Sequence, residues 1–110
     1  MTVTLRVRQA TTFISRLKGL LGMKEFPLGV DALLLSPCNA IHTVGMGFAI
    51  DLVFLDSHNK VIRVVKNIFP GKLYVSEPGA RSVLEMAAGH SSYINLCDTI
   101  ITNTFQEDAS

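Results

Sequence analysis

Ile50-Asp51-Leu52-Val53-Phe54-Leu55, the four residues Asp56-Ser57-His58-Asn59, and the run from Val61 to Ile68 decide the fold of this chain. Two segments rich in Val, Ile, Leu and Phe, separated by residues that favour turns, predict two strands paired antiparallel through a tight hairpin. Working outward, Thr2 to Arg8 alternates, with Val3, Leu5 and Val7 on one face and Thr4, Arg6 and Arg8 on the other, the pattern of a half-buried strand. Ala32 to Leu35, Ile41 to Val44, Leu73 to Val75, Ser82 to Met86 and Thr99 to Thr102 read as further strands, each bounded by Pro, Gly, Asn, Asp or Ser. Two segments break the β pattern. Phe13, Ile14, Leu17, Leu20 and Leu21 recur at helical spacing, which predicts an amphipathic helix capped by Thr11 or Thr12 and closed near Leu21 by Gly22, and Ser91 to Leu96 reads as one short helix. The expected architecture is α+β and mainly β, a small curled sheet or barrel-like domain with the amphipathic N-terminal helix packed on it.

A chain of 110 residues has room for one core, so residues 1–105 are expected to form one domain with a frayed polar tail at 106–110. At this size neither a metal nor a disulfide is needed for folding, and no cofactor is expected. The 48% apolar fraction against 17% charged residues fills a core generously and leaves apolar surface for contact with a partner or a second copy. A formal charge of +1, with the basic residues dispersed, provides no field for a phosphate backbone, so nucleic acid is not an expected partner. Residues 1–10 alternate and lack the continuous apolar core of an export signal, and no run of about 18 apolar residues suits a membrane span. The expected location is cytoplasmic, with Cys38 and Cys97 reduced.

Chemistry concentrates between Cys38 and Asp56, where a thiol, an imidazole and a carboxylate stand among apolar residues and glycines. On an extended chain Cys38 and His42 would lie about 13 Å apart on one face, beyond hydrogen-bond reach. Only a turn such as Ser36-Pro37-Cys38-Asn39, with proline in the second position of a type I turn, would fold the thiol back. One Cys, one His and no CxxC or HxxxH pair make a poor metal signature, and no metal is expected. His42 shares a strand face with Val44 and Met46, which makes it either a satisfied core imidazole or a polar group at the base of a cleft. Asp51 interrupts an otherwise apolar run and must be paired or hydrogen-bonded. Arg81, Arg63, His42 and the amides around Gly45 to Gly47 are the candidate partners for an ion pair, with a ligand-binding carboxylate as the alternative. Gly45 and Gly47 mark a bulge or a close backbone approach. The expected site is therefore a pocket lined by Cys38, His42, Thr43, Gly45, Met46 and Asp51 and backed by Phe54. Glu85, alternating with Leu84 and Met86, is expected on a wet face or beside a cross-strand cation, and His58 and His90 in solvent.

Four segments in order, Arg16-Leu17-Lys18-Gly19-Leu20-Leu21-Gly22, Ile41-His42-Thr43-Val44-Gly45-Met46, Ile50 to Asp56, and Val83-Leu84-Glu85-Met86-Ala87-Ala88-Gly89, resemble the prokaryotic domain of unknown function 192 family, also called uncharacterised protein family 0127. Much of that family has Trp-Met-Lys-Asn-Thr where this chain has His42 to Met46. The chain resembles the branch with Ile-His-Thr-x-Gly-Met preceded by Pro-Cys, here Pro37-Cys38. It departs at Gly47, where a basic residue is usual in the branch, and at Cys97-Asp98, where Gly-Asp is more usual. The resemblance implies a β-rich fold with one packed helix and no established reaction. It also implies an accessory or binding role beside secretion and pilus-assembly systems, with many relatives carrying export signals. Two functions stand open at this point, a small module that binds a ligand or partner protein, and a small enzyme using Cys38, His42 or both.

Overall fold

The computed structural model describes residues 1–9, 26, 29–42, 47–69 and 74–104, with His42 described by its backbone. Eight strands run in order: β1 (Thr2–Gln9), β2 (Ala32–Leu35), β3 (Ala40–His42), β4 (Ile50–Leu55), β5 (Val61–Ile68), β6 (Tyr74–Ser76), β7 (Ser82–Ala87) and β8 (Thr99–Thr104). Six form one sheet in the order β5-β4-β7-β2-β1-β8, and β3 and β6 pair as a separate two-stranded ribbon. The hairpin read from residues 50–68 is present, with β4 and β5 antiparallel. Asp56 closes it by accepting the N–H groups of His58 at 2.8 Å and Lys60 at 2.9 Å, and Asn59 takes the left-handed φ of 61° that Asn tolerates. Those two amides hold the Asp56 carboxyl below its ordinary pKa.

β1 lies between β2 and β8 and is parallel to both. Parallel neighbours cannot be joined by a hairpin. The amphipathic helix expected over 11–21 falls in the connection from β1 to β2, outside the described residues. Among the described residues no helix occurs, and the short helix expected at Ser91 to Leu96 is instead a succession of turns. His90 donates its N–H to the Ala87 carbonyl at 3.0 Å and Ile94 to the Ser91 carbonyl at 2.9 Å, while Gly89 sits at φ +88°, which no right-handed helix accommodates.

The sheet is open rather than a closed barrel, with β5 and β8 as its edges. Its roll brings those edges together at one end. Lys60 bridges Thr99, the Val61 N–H reaches the Asp98 carbonyl at 2.8 Å, and the Ile100 N–H reaches the Asn59 carbonyl at 2.8 Å. Inside the roll the alternate residues of every strand converge, among them Leu5, Val7, Leu34, Val53, Leu84, Met86 and Ile100. Each such Leu or Ile contributes about 1.5–3 kcal/mol by leaving water. The opposite face carries Leu33, Leu35, Leu52, Phe54, Ile68 and Val83, and the β3–β6 ribbon packs there through Ile41 and Val75. β2, β4 and β7 are thus apolar on both sides, which is why their sequences run apolar without alternation.

Cys97 is exposed at φ 70°, a left-handed position, at the site where relatives of the resembled family usually have glycine. The left-handed position is therefore held by a residue with a Cβ, which costs the strain that glycine avoids. His58 and His90 are exposed, as expected.

Candidate functional site

Asp51 is fully buried on β4. The register of β4 against β5 slips between Ile50 and Leu52, so that one extra residue of β5 bulges out, and Asn67, at φ 57°, turns its amide away from the ladder. That N–H donates to Asp51 Oδ1 at 2.8 Å. The turn after β7 brings three more donors to Oδ2: Gly89 N–H at 3.0 Å, Ser91 N–H at 3.2 Å and the Ser91 hydroxyl at 2.6 Å. Burial works to raise the Asp51 pKa, but the Ser91 hydroxyl and the amides of Asn67, Ser91 and Gly89 outweigh it and hold the carboxyl below its ordinary 3.8. The expected ion pair is replaced by a cradle of neutral donors. Arg63 points elsewhere, donating from Nη1 to the Ser76 carbonyl at 3.0 Å, and among the described residues no cation pairs with Asp51. The carboxylate ties the bulge of β5 and the turn after β7 to the strand between them.

Of the expected pocket, the described residues include Cys38, the backbone of His42, Asp51 and Phe54. Residues 51 and 54 face opposite sides of β4: Phe54 belongs to the cluster beneath the β3–β6 ribbon, while Asp51 lies opposite Met86 on the side of the roll's interior. His42 pairs by its backbone with Tyr74 in that ribbon, on the Phe54 side. Thr43, Gly45 and Met46 lie outside the described residues.

Cys38 stands on a shallow groove of about 370 Å³ lined by Pro37, Cys38, Asn39, Ala40, Ala80 and Arg81. Two connecting segments make it, 36–39 from β2 to β3 and 77–81 from β6 to β7. They are laced by Cys38 N–H to the Arg81 carbonyl at 2.9 Å and Glu77 N–H to the Asn39 carbonyl at 2.9 Å. In place of the expected type I turn at Ser36–Asn39, the Cys38 amide and the Asn39 carbonyl bond across to 77–81. Cys38 is half-buried and its Sγ donates to the Ala40 carbonyl at 3.2 Å. Arg81 is exposed at the rim, and among the described residues no carboxylate pairs with it.

Glu85 overturns its expected placement. It is 6% exposed, on the central strand β7, opposite Leu33 of β2 and Leu52 of β4. Among the described residues no donor meets its carboxyl, and burial pushes its pKa from the ordinary 4.5 up to about 7. The signal was in the sequence: Val83-Leu84-Glu85-Met86-Ala87 isolates a carboxylate among apolar residues just as 50–55 isolates Asp51. Among the described residues no group of three His, Cys, Asp or Glu side chains is placed to hold a metal ion, and no helix is long and apolar enough to cross a membrane.

A UPF0127 protein from Thermococcus sibiricus (strain DSM 12597 / MM 739) is 33% identical over 93 residues, 82% of this chain, and the chain spans 60% of the length of that relative. A protein of unknown function from Novosphingobium aromaticivorans DSM 12444 superposes with a TM-score of 0.72 at 18% identity, over 83% of this chain and 70% of that one. A Sinorhizobium meliloti 1021 protein described as a "putative transcription regulator" gives 0.70 at 17% identity, over 82% and 74%. At such identity the two likenesses are of fold. The model of the DUF192 family, described as "Uncharacterized ACR", matches residues 1–98, and the chain belongs to that family.

Proposed function

We propose that this domain is a non-catalytic binding module whose contact site is the groove between residues 37–40 and 80–81. The observation that supports this reading is the groove itself, where an exposed guanidinium, an asparagine and a thiol meet on a wall fixed by backbone hydrogen bonds. A preformed concave surface of that kind suits a small ligand, or a protein segment, bearing a carboxylate or phosphate for Arg81. Cys38 remains in the site and His42, two residues beyond Ala40, stands beside it in the chain, whereas Asp51 is committed to its cradle and leaves the site. An accessory role beside a secretion or pilus-assembly system accords with the branch of the family that the chain resembles. The enzyme reading draws its support from the closeness of Cys38 and His42 in sequence, while the Cys38 Sγ is engaged with the Ala40 carbonyl.

Thermal denaturation against a panel of carboxylates and phosphate esters tests the reading, since a ligand of the native state raises the midpoint in proportion to its occupancy. A rise with at least one compound that disappears in Arg81→Ala is expected, with Cys38 and Cys97 alkylated by iodoacetamide no faster than an unactivated thiol. No shift with any compound, together with rapid labelling of Cys38 alone, would replace the binding module by the enzyme.

A further inference from the structure

Glu85 has no role in the groove, and its position carries a cost. An ionised carboxylate without a donor in an apolar interior costs several kcal/mol, so the group is accommodated there only with its proton. Its neighbours on that face are Leu33 on β2, Ile50, Leu52 and Phe54 on β4, and Val83 on its own strand, with Ile41 and Val75 of the β3–β6 ribbon closing the same cluster. Phe26 and Phe48 also pack against it, Cys38 lies at its margin, and Arg63, opposite Phe54 on β5, stands on the same side with its guanidinium on the Ser76 carbonyl of the ribbon. Asp51 faces the opposite side of the sheet.

We propose that Glu85 is a proton gate on the docking of the β3–β6 ribbon: with the proton in place the ribbon lies closed on the sheet, and loss of the proton admits water and releases it. The sheet cannot give way first, because β7 is held on both sides by continuous ladders to β2 and β4. The ribbon is held differently. Among the described residues its strands pair only with each other, and its ties to the sheet are the packing of Ile41 and Val75, the bond from Cys38 N–H to the Arg81 carbonyl and that from the Arg63 guanidinium to the Ser76 carbonyl. Hydrating Glu85 therefore requires displacing three-residue strands rather than breaking the six-stranded sheet. The pKa of about 7 places the transition near neutrality.

The sign follows from proton counting. The closed form keeps the proton up to about pH 7, and an open form with a hydrated carboxyl keeps it only to about 4.5, so opening is favoured increasingly across that interval and no further above it. Hydrogen exchange of the full chain, followed residue by residue by NMR and corrected for intrinsic exchange, reads this out. The ladder amides of β3 and β6 are expected to exchange through an opening at least tenfold more populated than that of the β4–β7 ladder. Its equilibrium constant should rise between pH 4.5 and 7.5 by at least tenfold and by no more than about 300-fold. In Glu85→Gln the ribbon's constant should be flat with pH. The proposal is overturned if the ribbon amides share the opening constant of β4 and β7, or if theirs is flat in the wild type while that of β4 and β7 rises. The first result would mean no separate opening, the second that Glu85 is hydrated only on global unfolding. Should Glu85→Gln not fold, the wild-type ¹³C carboxyl resonance of Glu85 decides: a midpoint near 7 shared with the ribbon's exchange supports the gate, and a midpoint near 4.5 removes it.

Discussion

Asp51 and Glu85 stand on adjacent strands, one residue apart in register, and both are almost inaccessible to water, yet their ionisation runs in opposite directions. Asp51 looks into the side of the sheet where a bulge and a turn aim three amides and a hydroxyl at it. Glu85 looks into the side where leucines and valines meet it. Burial penalises the charge in both, so burial by itself does not decide which carboxyl stays ionised; the donors that irregular backbone supplies decide it. Regular ladder has no amides to spare, and this is why the charge-holding site sits against a bulge and a turn.

The strongest way to break this comparison is to remove the first carboxylate. Asp51→Ala strands three amides and a hydroxyl, the two Ser91 donors among them buried, and should cost about 3–5 kcal/mol in urea unfolding, with Asp51→Asn intermediate because its amide nitrogen would face donors. A loss under about 0.5 kcal/mol would deny that the cradle stabilises anything. Next comes the pH profile. Glu85 binds a proton more tightly in the folded chain than in the unfolded one, so its stability contribution is complete below about pH 4.5 and declines by about 3 kcal/mol as pH rises to 7. Asp51 and Asp56 have the opposite sign: their contributions hold above 3.8 and are lost as pH falls through their lowered folded values. The wild type should therefore be most stable near pH 4–5, and Glu85→Gln should flatten the neutral limb alone. A wild type equally stable at pH 5 and 8 would contradict the placement of Glu85.

Smaller changes sharpen the account of the cradle. Ser91→Ala removes the shortest of the four bonds while leaving the amide of the same residue, and should cost about 2 kcal/mol and raise the Asp51 pKa, read by ¹³C titration. Gly89→Ala isolates the backbone. A Cβ there would meet nothing within 4 Å, so the expected loss of about 1 kcal/mol comes from the left-handed φ of 88° alone. A loss several times larger would show that the turn, and with it three of the donors to Asp51, had been displaced.

Much of the fold was legible because periodicity and turn chemistry are local. Ala32 to Leu35, Ile50 to Leu55 and Val61 to Ile68 coincide with β2, β4 and β5, and the alternation of Val3, Leu5 and Val7 gave the buried face of β1. The site was less legible because its geometry is not local. The need of Asp51 for partners could be read at position 51, but the partners arise at 67, 89 and 91, from a register slip and a turn that no alternation pattern announces. Glu85 was misplaced for a related reason. Its neighbours Leu84 and Met86 fit a half-buried strand equally well until β7 is known to lie at the centre of the sheet with both faces covered.

The position of β1 between β2 and β8 also bears on the order in which the chain can assemble. The β4–β5 hairpin can form as soon as it is made, whereas one edge of β1 waits for β8, about 90 residues after β1 ends, and such long-range pairing closes late and slowly. During synthesis β1, made before the other strands of this sheet, is thus among the last to be paired on both sides, with Val3, Leu5 and Val7 exposed to any other chain that offers an edge.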